Sequence, residues 1–375
     1  MTAIPTIWDF AAGPNRATLL SMRSEQTRRR ARERIEALAD APLDAATMRL
    51  EAIEILRAAI GFERWCALLL DPDTLIVSHG LGRNDWPAEL PRLNLIGAGL
   101  DDVNNHTILA RSRDHVGVLS AATGSDLSRS QRWREVFSRY GVGDELRCVA
   151  TDASGSWADV MLFRDSDDPS FDAEDARLMR EVSEPLARGL RRGAASPLEH
   201  VDPVPSETGV LLLDASLRPI GATGAAQSWL RTLEPAEWPF PDGVPGAVWN
   251  VVGRLLAIES GQEPGRPPRL RARTPGGGWA IVEAARLDGG SDGIAVTIRP
   301  AGTDEVLDLV CRASGLTPRE RELVALLVEG LDTREVAARL FISRYTVQDH
   351  LKSVFDKMGV RSRRELVSGI LGQAA

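Results

Sequence analysis

The C-terminal part of the chain marks its own helix boundaries three times over. Thr317-Pro318-Arg319-Glu320, Asp332-Thr333-Arg334-Glu335 and Ser362-Arg363-Arg364-Glu365 each set a side-chain oxygen before a helix and a glutamate three positions on. Such pairs satisfy the unpaired N–H groups of a first helical turn reciprocally, and Pro318 falls where a missing N–H costs nothing. Gly330 and Gly359 supply the left-handed residues on which helices end. Ser343 caps a further helix. The spacing predicts four helices, over about 318–329, 333–340, 344–357 and 363–371, with Phe341-Ile342 as a tight turn between the second and third.

A short helix, a tight turn and a longer helix make a helix-turn-helix. On the longer helix Val347, Leu351, Val354, Phe355 and Met358 form one apolar stripe, and Arg344, Tyr345, Gln348, Asp349, Lys352, Ser353 and Asp356 lie opposite. A polar outer face of this kind suits the edges of bases in a DNA major groove. Charge is polarised along the segment. Residues 303–339 hold five basic and eight acidic side chains, net −3, whereas 340–375 hold six basic and three acidic, net +3. So modest a basic footprint predicts weak nonspecific binding by one copy and a need for two. The pattern Leu316-Thr317-Pro318-Arg319-Glu320, Gly330, Glu335-Val336-Ala337, Leu340, Ile342-Ser343, Thr346-Val347, His350-Leu351, Lys357-Met358-Gly359-Val360 and Ser362-Arg363 resembles the LuxR-type (GerE-type) DNA-binding domain. The resemblance implies a four-helix unit that binds double-stranded DNA, and this chain's own outer face and basic positions nominate Ser343, Arg344, Tyr345, Thr346, Gln348, Asp349, Lys352, Lys357, Arg361 and Arg363 as its contacts. It also implies dimerisation through the last helix, with Leu366, Val367 and Ile370 at the seam. The family commonly has lysine after Thr-Val, where this chain has Gln348. Gln348 suits adenine, Lys352 either guanine or a phosphate, and Asp349 either accepts from cytosine or repels the backbone. His350, beside the buried stripe, is expected to orient the helix rather than to read bases.

Upstream, the pattern is mixed α and β. Five arginines between Arg28 and Arg34 are expected on the solvated face of a helix in an N-terminal leader, residues 1–40; the sharper reading is an auxiliary phosphate contact. Met48–Ile60 carries a helical stripe stopped by Gly61. Trp65–Leu70 and Leu75–Ser78 flank the turn Asp71-Pro72-Asp73-Thr74, and Leu146–Thr151 and Trp157–Arg164 flank Asp152–Ser156, so two hairpins are expected. Asp172 caps a helix to about Arg192 that Pro185 should kink. The order of Trp157–Phe163 followed by Phe171-Asp172-Ala173-Glu174-Asp175-Ala176-Arg177-Leu178 resembles a GAF domain over 41–195. Residues 196–206, rich in proline and small side chains, read as a linker. Gly209-Val210-Leu211-Leu212-Leu213-Asp214 and Ala225-Ala226 with Trp229-Leu230 resemble a PAS domain over 207–301, although Thr223-Gly224 stands where the family has asparagine. In that region Ala247–Ser260 should be a helix, and Arg269–Arg273, Trp279–Leu287 and Gly293–Arg299 three antiparallel strands.

Several functions are excluded. Of 45 basic residues only Lys352 and Lys357 are lysines. A phosphate-binding loop, a protein kinase and a phosphoacceptor receiver each require a lysine further upstream. No nucleophile elbow and no metal-ligand spacing occur, so no catalytic or metal-binding residue is nominated and no enzyme is expected. His79, His106, His115 and Cys66 are the available haem ligands, but ordinary surface or core roles are favoured. Cys66, Cys148 and Cys311 are scattered and suit a reducing cytoplasm. No secretion signal or membrane span is read. The resulting expectation is a multidomain bacterial, cytoplasmic regulator: α+β GAF-like and PAS-like sensor domains, then an all-α helix-turn-helix domain at 303–375. It would act as a homodimer on DNA, with RNA polymerase a candidate partner and no cofactor evident. The signal is a small molecule of unknown identity. Alternatives are a constitutive DNA-binding protein with scaffold domains, a regulator docked by a protein, and a sensor enzyme.

Overall fold

The computed structural model describes residues 25–195, 204–233, 243–262, 266–274, 276–288 and 293–374. Residues 1–24 of the expected leader and 196–203 of the expected linker lie outside them.

The first unit opens with α1 (Glu25–Asp40) and α2 (Ala45–Ile60). Asp44 caps α2 by accepting from the backbone N–H groups of Ala46 and Thr47, and Gly61 ends it at φ 69°. Then follow β1 (Arg64–Leu70), β2 (Val77–Arg83), α3 (Leu90–Ala98), α4 (His106–Arg111), β3 (Val116–Val118), α5 (Leu119–Thr123), α6 (Gln131–Glu135), β4 (Val142–Asp152), β5 (Gly155–Asp165) and α7 (Ala173–Ala195). The strands form an antiparallel sheet in the order β2-β1-β5-β4-β3. Both expected hairpins are present, with longer strands. The first turn extends to Ile76 because Leu75 adopts a left-handed φ of 57°. Strand β2 therefore begins at Val77 rather than Leu75. Asp172 caps α7 as expected, and the helix runs through Pro185 without ending.

Both faces of this sheet are covered. Trp65, Ala67, Leu146, Cys148, Val160 and Leu162 pack under α1, α2 and α7. Arg28 is not on a solvated face: its side chain is 14% exposed and pairs with the buried Asp175 of α7 at 3.0 Å. Cys66, Met161 and Phe163 project to the other face, where Trp86, Leu90 and Phe137 meet them. Cross-strand register puts Cys66 beside Met161 and Met161 beside Arg147. That second face thus mixes apolar and charged side chains.

The second unit contains β6 (Gly209–Leu213), β7 (Pro219–Ala222), α8 (Gly224–Leu233), α9 (Gly246–Glu259), β8 (Arg269–Arg273), β9 (Trp279–Arg286) and β10 (Ile294–Pro300). Its sheet order is β7-β6-β10-β9-β8. Strand β7 was not anticipated: it is a fully exposed edge opened by a proline, so it carries no buried alternation. Helix α9 packs against both α3 and β2 of the first unit. Asn250 Nδ2 donates to the Val77 carbonyl at 2.9 Å, sealing that contact.

The chain closes with α10 (Thr303–Ala313), α11 (Pro318–Val328), α12 (Thr333–Leu340), α13 (Arg344–Met358) and α14 (Arg363–Ala374). The four expected helices are there. Helix α10, which precedes them, was not read from the sequence. Its Val306, Leu309 and Val310 join the core of the first unit, while Cys311 joins that of the four-helix unit. Among the described residues no helix is long and apolar enough to cross a membrane.

Candidate nucleic-acid interface

The capping arithmetic of the last unit is realised atom by atom. Thr317 accepts from the Glu320 N–H, and Glu320 Oε2 accepts from the Thr317 N–H at 2.7 Å. Asp332 and Glu335 repeat the exchange. Ser362 Oγ accepts from the Glu365 N–H, but the Glu365 carboxylate reaches one residue further, to the Arg361 N–H at 2.8 Å. Helix α12 ends on Phe341 at φ 54°, and Ser343 Oγ accepts from the Thr346 N–H at 3.0 Å to open α13. The turn is tight because only Phe341 and Ile342 separate the helix from the cap.

Val347, Leu351 and Val354 turn inward and are buried. Their burial fixes the rotation of α13. Arg344, Tyr345, Gln348, Asp349 and Lys352 are exposed on the opposite side, and Thr346 and His350 are intermediate. Among the described residues Gln348, Asp349 and Lys352 make no side-chain hydrogen bond or ion pair within the chain. The fold leaves their polar groups available, at the N-terminal half of a helix whose free N–H groups favour an anion. Phe341 is 94% exposed and Tyr345 77% exposed, so two aromatic faces flank the start of the helix. The sequence reading assigned Phe341 to the turn alone. A large apolar residue on a turn with no helical stripe to join was the available signal.

Other nominated residues are engaged with groups of the fold itself. Lys357 Nζ donates to both oxygens of Glu320, at 2.9 and 2.6 Å, and Ser353 Oγ donates to the same carboxylate at 2.6 Å. Lys357 thus locks α13 to the start of α11 instead of standing on the outer face with Lys352. Arg363 Nη2 donates to the Leu327 carbonyl at 3.3 Å, tying α14 to α11. Arg361 stays exposed. Burial raises the tendency of the Glu320 carboxyl to hold its proton, but hydrogen bonds from Lys357, Ser353 and the Thr317 N–H outweigh it and hold the pKa at about 2. Leu366 and Ile370 are 1% and 0% exposed and fill the core of their own unit, against α10 and α11; of the expected seam only Val367 is partly exposed. In this arrangement the first two are not open to a second copy. The physical reason is α10, whose apolar side occupies the last helix.

The three thiols are buried, and burial pushes each up to about 12, which leaves none of them nucleophilic. His79 lies 3.3 Å from Arg49, His106 Nε2 meets the Leu75 carbonyl at 2.8 Å, and His115 Nδ1 meets the Leu109 carbonyl at 3.0 Å. Among the described residues no group of three or more His, Cys, Asp or Glu side chains could hold a metal ion.

Comparison with known proteins adds a family. The model described as "Bacterial regulatory proteins, luxR family" matches residues 314–369. The spore germination protein GerE of Bacillus subtilis (strain 168) is 45% identical over 56 residues, which cover 15% of this chain and 76% of that protein. A helix-turn-helix-type transcriptional regulator of Mycobacterium tuberculosis (strain ATCC 25618 / H37Rv) is 52% identical over 52 residues, but these are 14% of this chain and 6% of the relative. The matched segment is thus a small fraction of the mycobacterial relatives' length. Among solved structures, Escherichia coli SdiA aligns over 92% of this chain and 98% of its own at 10% identity and a TM-score of 0.33. That likeness is too loose to bear on the fold.

Proposed function

Because the chain belongs to the luxR family of bacterial regulatory proteins, we propose that it is a sequence-specific DNA-binding regulator of transcription. The reading rests on the outer face of α13, where Gln348, Asp349 and Lys352 are exposed and unengaged beside Arg344 and Tyr345. Gln348 and Lys352 reach base edges; Arg344 and Arg361 meet phosphates. The protein acts as a homodimer on a two-fold site, since one copy carries too few cations for tight binding.

We assign 41–195 as GAF-like and 207–301 as PAS-like, and infer that a signal received there controls DNA binding. Support comes from α10, which touches the first unit through α7 and the four-helix unit through α11 and α14. Its position links the sensor portion to the last helix. The test is selection of duplexes from a randomised pool by the full-length protein, followed by fluorescence anisotropy. A two-fold consensus with salt-dependent affinity is expected. Failure to enrich any sequence would overturn the reading.

A further inference from the structure

Beneath the second face of the first sheet lies a cavity of about 120 Å³. Its floor is Cys66, Met161 and Phe163, with Trp86 and Phe137 at the side. Helix α9 of the second unit contributes Ala247, Asn250 and Arg254. We propose that this cavity is a ligand site for an uncharged, ring-sized molecule carrying both a hydrogen-bond acceptor and an O–H or N–H donor. The inference deepens the proposed signal control and rests on it only for its consequence, not for the binding itself.

Three observations carry the ligand class. The first is size. A cavity of about 150 Å³ holds benzene, and this one is slightly smaller and partly open, so the occupant is a single ring of about six non-hydrogen atoms with a short polar substituent reaching the open side. Second, two buried side chains that line the cavity carry polar atoms without a partner, Arg132 Nη2 and His106 Nδ1. The His106 Nε2 faces a carbonyl at 2.8 Å and must carry the ring hydrogen, which leaves Nδ1 a bare acceptor. Burial drives the pKa of this imidazole down to about 4, so the ring is neutral at physiological pH. A ligand donor completes His106 and a ligand acceptor completes Arg132; unfilled, both atoms are costly.

Third, two of the three cations that line the cavity are already paired with buried carboxylates. Arg132 pairs with Asp102 at 2.7 Å and Glu145 at 2.8 Å, and Arg147 Nε meets Asp159 at 2.9 Å. Arg254, also buried, donates to the Thr74 carbonyl. An anionic ligand would have to compete with those carboxylates for Arg132 and Arg147 in a low-dielectric site, which favours an uncharged one. The occupant would touch both units at once, which is the geometry needed to bias their contact.

The test uses benzamide, its anionic isostere benzoate, and the full-length protein by isothermal titration calorimetry. Gly97 lines the cavity, and a Cβ there would meet no atom within 4 Å, so Gly97→Leu fills the space with a residue that a helix prefers to glycine. Benzamide is expected to bind one per chain, at least tenfold tighter than benzoate, and to lose at least tenfold in Gly97→Leu at an unchanged melting temperature. If Gly97→Leu melts early, Gly97→Ala replaces it, with a loss of at least threefold expected. Benzoate binding as tightly as benzamide would overturn the ligand class. Absence of saturable benzamide binding, or binding indifferent to residue 97, would overturn the site. Duplex binding by the same preparation separates the two readings. Benzamide uptake without duplex binding condemns the regulator, and duplex binding without uptake condemns the cavity.

Discussion

Glu320 shows how one side chain can serve two levels of structure. It completes the cap of α11 through the Thr317 N–H and receives Lys357 and Ser353 from α13. Glu320→Ala should destabilise the protein by about 1–2 kcal/mol, since it removes a cap contact and the partner of Lys357, whose own side chain is 34% exposed and can turn to water. Urea denaturation followed by far-UV circular dichroism measures this. The acid limb of stability should fall in two windows. His79 and His106 are pushed down, by burial above all, to about 3 and about 4 from an ordinary 6.5. The unfolded chain therefore takes up protons that the folded chain refuses, and stability declines as pH drops below about 6.5. Glu320 adds a second loss between about 4.5 and about 2, because its carboxyl must be protonated against Lys357. Melting temperature recorded from pH 7.5 to 3 should fall across the first window in the wild type. In Glu320→Ala the second loss should be shallower but still present, because Glu305, held at about 2 by Arg299 above all, titrates in the same window. A melting temperature constant from pH 7 to 5 would count against the buried neutral imidazoles.

At the scale of the element, α13 divides by rotation into an inward face and a free outward one. Gln348→Ala and Lys352→Ala should each weaken specific duplex binding by about 1–3 kcal/mol without changing stability, because neither side chain has an intramolecular partner to lose. The salt slope should stay near that of the wild type in both, since both side chains reach base edges rather than phosphates. Anisotropy titrations at two salt concentrations decide this, and two variants with wild-type affinity would place another face on the DNA. What could be read ahead was set by locality. Caps, stops and stripes of α11–α14 depend on residues three or four apart, so the sequence displays them directly. Helix α10 escaped because its cap is Gly302, which has no side chain. The reciprocal glutamate, Glu305, meets the Gly302 N–H at 2.7 Å, but a glycine followed by Glu305 shows nothing in a pattern search for Ser, Thr, Asp or Asn. The cavity escaped for a different reason. Glu145 and Arg147 sit on β4, and charged side chains on a strand suggest exposure. Only the placement of Arg132 and Asp159 across from them explains their burial. Lys357 was misplaced in the same way: its partner Glu320 lies two helices earlier.

For the molecule as a whole, the tip of the first hairpin is where three parts meet. Asp71, buried, accepts from Arg271 of β8 at 2.9 and 2.6 Å. Asp73, 49% exposed, meets Arg271 and also Arg312 of α10. Arg191 of α7 donates to the Arg312 carbonyl at 2.8 Å, so α10 is held from two sides of the first unit. The two aspartates are neighbours with the same cation, yet their surroundings differ, and so should their worth. Asp71→Asn removes the buried one of the two carboxylates on the Arg271 guanidinium and should cost about 2 kcal/mol. Asp73→Asn breaks two contacts at the surface, where water compensates, and should cost under about 1 kcal/mol. High salt should shrink the second effect and leave the first in place, since a buried pair is poorly screened. The readout for function runs the other way. Asp73 is the residue that ties the hairpin to α10, and α10 covers Leu366 and Ile370 of the last helix. Asp73→Asn should therefore raise hydrogen exchange in α10 and α14 more than Asp71→Asn does at matched stability. Equal exchange in the two variants would mean that α10 is held by its apolar side alone, and that the hairpin carries no message to the DNA-binding unit.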